Sequence, residues 1–191
     1  SVLKTLEEFD IPYFVVGGFA AVVYGISRVT YDVDIVVRLD ITHISLLVAR
    51  YSLPRYYVDA EQIKSSISMG IPFNLIDSQT GEKADLIPAT RSDSESFQRR
   101  VRQTIVLPFT APLEVWCASV EDIILGKLEA WAEVTSRKHE RDILEMLVIA
   151  LDQQKDAASI DIFYIDRKAI NINQEAYNLW QALLKRAQDA Q

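Results

Sequence analysis

Two carboxylates at alternate positions of an otherwise apolar run, "YDVDIVV", are the residues of this 191-residue chain best placed to do chemistry. Burying an unpaired charge is expensive, so Asp32 and Asp34 need something that compensates them. On a strand, residues two apart share a face, so the two carboxylates project together while Val33, Ile35 and Val37 point into the opposite layer. Two like charges about 4 Å apart repel by about 1 kcal/mol in water and by about 4 kcal/mol at an effective dielectric near 20. A cation between their oxygens relieves this, and hard divalent ions, Mg²⁺ first, suit carboxylates with no His or Cys beside them. Asp85, inside the apolar run "KADLIP" with Lys83 on the same face, supplies a third carboxylate. Three carboxylates from two adjoining strands would form a two-metal centre for in-line phosphoryl chemistry, one ion at the attacking oxygen and one on a triphosphate. The ordinary alternative is an exposed edge strand carrying solvated acids.

Gly17 and Gly18 stand between the apolar run "YFVV" and the alanine-bearing segment "FAAVVYG". A glycine pair between a strand and a helix lets backbone N–H groups come close to phosphate, and the helix N-terminus adds positive potential. A simple tight turn is the competing explanation.

Together these residues carry a resemblance. "VVGGFAAVVYGISRVTYDVDIVV" resembles the signature of the DNA polymerase beta-like nucleotidyltransferase superfamily: an apolar residue, Gly, Gly or Ser, a helix, then Asp-x-Asp or Asp-x-Glu, here with thirteen residues between Gly18 and Asp32. With "SVEDIILGKLEAW" and "RKHERDILEML" the wording is most similar to small members grouped with AbiEii-type toxins, over roughly residues 11 to 150. The resemblance implies that Gly17 and Gly18 bind nucleotide phosphates, that Asp32 and Asp34 hold Mg²⁺, and that Asp85 completes the metal site and helps deprotonate an acceptor hydroxyl. It further implies that Lys127 faces the triphosphate, that Asp142 is the acidic residue of the following helix, and that Arg28, which with Thr30 matches the family wording, neutralises phosphate. The implied activity is Mg²⁺-dependent transfer of a nucleoside monophosphate from an NTP to a hydroxyl of RNA, protein or a small molecule. A toxin role with an antitoxin protein as partner follows from the same likeness. Two rivals come from other classes: a nucleotide-binding regulatory module without turnover, and a DxD-type glycosyltransferase, which the glycines before the first helix disfavour.

The elements that must position these residues are an α+β arrangement: a mixed β-sheet flanked by helices, then a C-terminal helical part. "VLKTLEEFDI" has helical apolar spacing and ends before Pro12. "YFVV" and "TYDVDIVVRL" predict strands, with a helix over "FAAVVYG" closed by Gly25. Asp40 is a predicted N-cap for "ITHISLLVARY", and "EQIKSSI" predicts another helix. "IPFNLID" and "KADLIP" flank the turn "SQTGE" as a hairpin. "RQTIVLPF" and "APLEVWCA" add strands whose prolines suggest edges or ends. Helical periodicity then takes over in "SVEDIILGKLEAWAEV", capped by Ser119 with Asp122, in "RKHERDILEMLVIALD" and in "NQEAYNLWQALLKRAQ". These elements divide the chain into a catalytic domain at 1–115 and a helical part at 116–191.

A net charge of −7 argues against broad nucleic-acid binding through a basic surface. Arg99, Arg100 and Arg102 cluster in "RSDSESFQRRVR", read as a solvated helix end or edge strand in preference to a phosphate-binding face. The single cysteine, Cys117, excludes an internal disulfide framework and reads as a small buried hydrophobe, which suits a reducing cytosol. No apolar run approaches the roughly 20 residues that span a bilayer, so the expected location is cytoplasmic, without membrane partners. Ordinary roles stand beside the implied ones in the helical part: Lys127 as a snorkelling lysine or an ion pair with Glu129 or Glu133, and Arg137, Arg141 and Asp142 as a charged helix face.

Overall fold

The computed structural model describes residues 1–27, 32–105, 111–152 and 160–190, so Arg28 and Thr30 lie outside the described residues. The chain forms two compact units, Ser1–Phe19 with Val29–Cys117, and Ala20–Arg28 with Ala118–Gln191. The sequence divides the chain at 115/116; in the structure it leaves the first unit after Cys117, and an earlier excursion takes Ala20–Arg28 into the second.

In the first unit, α1 (Val2–Glu8), β1 (Tyr13–Val16) and the start of α2 (Gly17–Val23) are followed by β2 (Val33–Val37), α3 (Ile41–Arg50) and α4 (Ala60–Met69). Then come β3 (Phe73–Ile76), β4 (Lys83–Pro88), α5 (Ser94–Arg99), β5 (Val101–Ile105) and β6 (Leu113–Cys117). One six-stranded sheet has the order β3-β4-β2-β1-β6-β5. The β2–β4 and β1–β6 pairs are parallel; the other three are antiparallel.

Period-two alternation makes the sheet two-faced. Tyr13, Val15, Ile35, Val37, Phe73, Leu75, Ala84, Leu86, Val115 and Cys117 are buried along one face. Each such aliphatic side chain contributes about 1.5–3 kcal/mol on burial, so a one-residue slip of β2, which would expose Ile35 and Val37 and drive Asp34 inward, is strongly disfavoured. The other face is open around Asn74, Lys83, Asp85, Asp34, Arg38, Arg102 and Glu114, all half-exposed or exposed, and closed at Phe14 and Val36, which are buried where Phe97 of α5 packs on Phe14. The last two strands match the edges or ends expected of them: β5 is an edge, and β6 lies inside the sheet between β1 and β5 with its proline at its end. Pro112 sits just before β6, where no ladder N–H is lost.

Helix ends follow their side chains. Asp40 accepts from the His43 N–H at 2.9 Å while its own N–H donates to His43 Nδ1 at 3.2 Å, a reciprocal cap on α3. The α2 helix begins at the glycine pair itself, two residues earlier than its apolar pattern indicates. It closes with Gly25 at φ +97°, where the N–H groups of Gly25 and Ile26 donate back to Val22 and Ala21.

The second unit holds α6 (Val120–Val134), α7 (Arg137–Leu151), α8 (Ile162–Ile172) and α9 (Gln174–Gln188) around Trp180, Ile124, Leu128, Ile143, Met146, Leu147 and Ile165. Ser119 caps α6 by accepting from the Asp122 N–H at 3.2 Å. The α8 helix has no counterpart in the sequence reading: Tyr164, Ile165 and Ala169 are buried, but Phe163 and Ile170 face solvent, so its apolar residues make no single stripe. Among the described residues, no helix is long and apolar enough to cross a membrane.

Candidate functional site

The site of the first unit forms where β2 and β4 run side by side. Their parallel register sets Asp34 directly against Asp85, and the antiparallel neighbours extend that row to Val16 of β1 and Asn74 of β3. Residues directly opposite one another on adjoining strands project to the same side, so Asp34 and Asp85 share the open face. Asp32 is exposed and stands one residue before β2, not within it as the sequence pattern suggests. The reason is local: β1 ends at Val16, opposite Asp34, because the chain turns away at Gly17.

That turn brings backbone against carboxylate. Gly17 has φ +68°, and a Cβ there would stand 2.1 Å from Asp34 Oδ2. Glycine is required twice, by the left-handed conformation and by the space Asp34 occupies. Gly18 follows as the second residue of α2.

Asp85 is only half satisfied. Its Oδ2 accepts from Lys83 Nζ at 3.0 Å, whereas its Oδ1 is buried without a hydrogen-bond partner. The Lys83 ammonium is held above the usual lysine range, first by the hydrogen bond and charge of Asp85, then by the charges of Asp32 and Asp34. Lys83 thus lies in the field of three carboxylates. A partnerless carboxylate oxygen within this negative excess fits a divalent cation with oxygen ligands. No ready-made cage of three acidic, His or Cys side chains stands among the described residues. Asp32 lies outside the ladder, and Lys83 engages Asp85.

The remaining implied residues lie elsewhere. Lys127 and Asp142 belong to the second unit, where the Lys127 ammonium meets Asp142 Oδ2 at 2.7 Å, with their side chains 7% and 1% exposed. Asp142 is therefore an interior residue, not part of a charged surface face, and it, not Glu129 or Glu133, is the carboxylate against Lys127: α6 and α7 pack with these two side chains turned inward. Cys117 is fully buried, and burial pushes its thiol up to about 12, far from a nucleophile's range. The alternation of Lys83 with Asp85 is visible in the sequence, whereas the charges of Asp32 and Asp34 reach Lys83 only through the fold.

No protein-family model matches the chain, and no curated protein does. Solved structures do. An antigenic nucleotidyltransferase-like protein from Paracoccidioides brasiliensis is 21% identical, over 95% of this chain and 88% of that one, with a TM-score of 0.52. The lincosamide antibiotic adenylyltransferase LnuA, lincomycin-bound, is 17% identical over 78% of this chain and 93% of that one, at 0.47. The antibiotic-resistance factor ANT(2″)-Ia is 16% identical over 99% and 90%, at 0.45. The mixed six-stranded sheet with flanking helices and a C-terminal helical part is a nucleotidyltransferase fold.

Proposed function

We propose that this protein is a nucleotidyltransferase that moves a nucleoside monophosphate from an NTP to a hydroxyl acceptor. The observation that carries the reading is the pairing of Asp34 with Asp85 on the open face, with the Gly17 backbone pressed against Asp34. The acceptor oxygen attacks the α-phosphorus, the bond from that phosphorus to the α,β-bridging oxygen breaks, and pyrophosphate leaves. Asp85 takes the hydroxyl proton, as the family likeness implies. Gly17 and Gly18 present backbone to the nucleotide phosphates.

Asp32, Asp34 and Asp85 would hold Mg²⁺, two ions in the full arrangement, which would neutralise the charge of the triphosphate and of the developing pyrophosphate. Lys83 holds Asp85 in place through their ion pair at 3.0 Å. The likeness of residues 11–150 to AbiEii-type toxins extends the reading to a cytoplasmic toxin neutralised by an antitoxin protein; growth arrest on expression, abolished with the transferase activity, tests that extension.

The experiment is transfer of label from α-³²P NTPs to RNA, protein and small-molecule acceptors, with and without Mg²⁺. Asp34→Asn and Asp85→Asn should each reduce transfer by at least about 100-fold, comparable to removing one transition-state-stabilising group, while leaving the thermal midpoint nearly unchanged. Undiminished transfer by either variant would remove the assigned site. A second reading, a nucleotide-binding module without turnover, is favoured by one observation: Lys83 already supplies Asp85 with a cation. Calorimetric NTP binding with no pyrophosphate after prolonged incubation would select it.

A further inference from the structure

The open face of the sheet carries a second cluster, opposite in charge to the first. Arg38 follows β2, Arg100 precedes β5, and Arg102 on β5 is the register partner of Trp116 on β6. Their guanidinium groups lie over aromatic rings. Arg38 is 4.2 Å and Arg100 5.2 Å from the Phe97 centroid, while Arg100 and Arg102 are 4.6 Å and 5.0 Å from that of Trp116. Phe97 itself is fixed edge-on against Phe14 at 4.8 Å. Arg102 pairs with Glu7, but among the described residues neither Arg38 nor Arg100 has a carboxylate within ion-pair distance, and Arg100 Nε is buried without a hydrogen-bond partner.

We propose that this arginine–aromatic platform binds the phosphates of a single-stranded nucleic-acid segment whose terminal hydroxyl is the acceptor. The inference rests on the nucleotidyltransferase reading only in calling the strand an acceptor. Stacking on a ring fixes the planar guanidinium yet leaves its N–H edges free for bidentate phosphate contacts. Packing alone does not account for three arginines: burial and the charges of Arg38 and Arg102 make ionised Arg100 less favourable than an ordinary arginine, a conflict that a bound anion resolves.

The geometry suits a short strand. Arg38 lies four residues beyond Asp34 on the same face, about 13 Å along the strand. That is the length of about four stacked nucleotides at about 3.4 Å each. A net charge of −7 disfavours nonspecific wrapping of a long polyanion, so the proposed contact is a local one.

Binding of a fluorescent ten-nucleotide single-stranded RNA by the full chain, without NTP, is read by anisotropy across a salt series. Three phosphate contacts predict a slope of log K against log salt of about −2, at about 0.7 per contact. Arg38→Gln and Arg102→Gln should each flatten the slope by about 0.7 and weaken binding several-fold. The Arg38 guanidinium stacks on Phe97, and the Arg38 N–H bond to Pro12 is a backbone one, so Arg38→Gln should keep the wild-type melting temperature. Lys64→Gln, on the exposed face of α4, is the charge-matched control and should change neither quantity. Absence of salt-dependent binding, an equal loss in the Lys64 control, or equally tight binding of an acidic peptide would overturn the proposal. Binding as described without label transfer would leave the platform standing and sink the catalytic reading. Wild-type transfer to RNA by Arg38→Gln would do the reverse.

Discussion

Two acid–base pairs of this protein look alike in composition and differ in every physical respect. In the second unit, Lys127 and Asp142 face each other at 2.7 Å inside the helical core, both nearly inaccessible. In the first, Lys83 meets Asp85 at 3.0 Å on the open face of the sheet, with side chains 36% and 20% exposed, and one oxygen of Asp85 is left without a partner. A buried ion pair has already been desolvated, so each partner depends on the other. A half-exposed pair crowded by two further carboxylates gains from an additional cation. The difference separates an interior pair on which the helical core depends from a surface arrangement suited to a ligand.

The largest effect expected from breaking this contrast is in the helical unit. Asp142→Ala should destabilise the protein by about 3–5 kcal/mol, since it strands a buried ammonium, and denaturant unfolding measures it. The double variant Lys127→Met with Asp142→Leu sharpens the comparison. It should recover most of that stability, because a packed apolar pair replaces the ion pair.

Gly17→Ala should have a smaller effect on stability and a large one on function. An L-residue at φ +68° costs about 1–2 kcal/mol, and the new Cβ meets the end of a flexible side chain, so the clash is relieved by turning the Asp34 carboxylate away. Thermal melting should fall modestly while NTP transfer is lost. Retained transfer would show that the position of Asp34 against the turn is not needed.

The smallest effect lies beside the hairpin that carries Asp85. Asp77, at the end of β3, accepts from Arg55 Nε at 3.0 Å and Nη2 at 2.7 Å, and from the Gln79 N–H at 3.0 Å. The Arg55 hydrogen bonds hold its carboxyl down to about 2. The folded value lies below the unfolded one of about 3.9, so this stabilisation is complete above about pH 4 and is lost as pH falls toward 2. The difference in thermal midpoint between wild type and Arg55→Gln should therefore shrink across that window. A constant difference would mean that Arg55 acts through packing instead.

Much of the architecture was legible because local physics sets it. Asp40 and Ser119 cap their helices, the "SQTGE" turn closes a hairpin, and apolar periodicity marks most strands and helices. Where periodicity is blurred, as in α8 with Phe163 and Ile170 exposed, the element went unread. The start of α2 was displaced for another reason: glycines carry no apolar signal, so the pattern begins at Phe19 while the helix begins at Gly17.

The candidate site divides along the same line. By itself the sequence determined that Asp34 and Asp85 sit in apolar strands and that a glycine pair opens a helix, because side-chain alternation and glycine chemistry are local properties. Only the tertiary structure decided that β2 lies parallel to β4 with the two aspartates in register, that Asp32 falls outside the ladder, and that Asp142 is the partner of Lys127. It also decided that Arg38, Arg100 and Arg102 stack around Phe97 and Trp116 instead of dispersing into solvent. Strand order and helix packing join residues far apart in the chain, and those pairings are chosen by the burial of the whole apolar face, which no short stretch of sequence encodes.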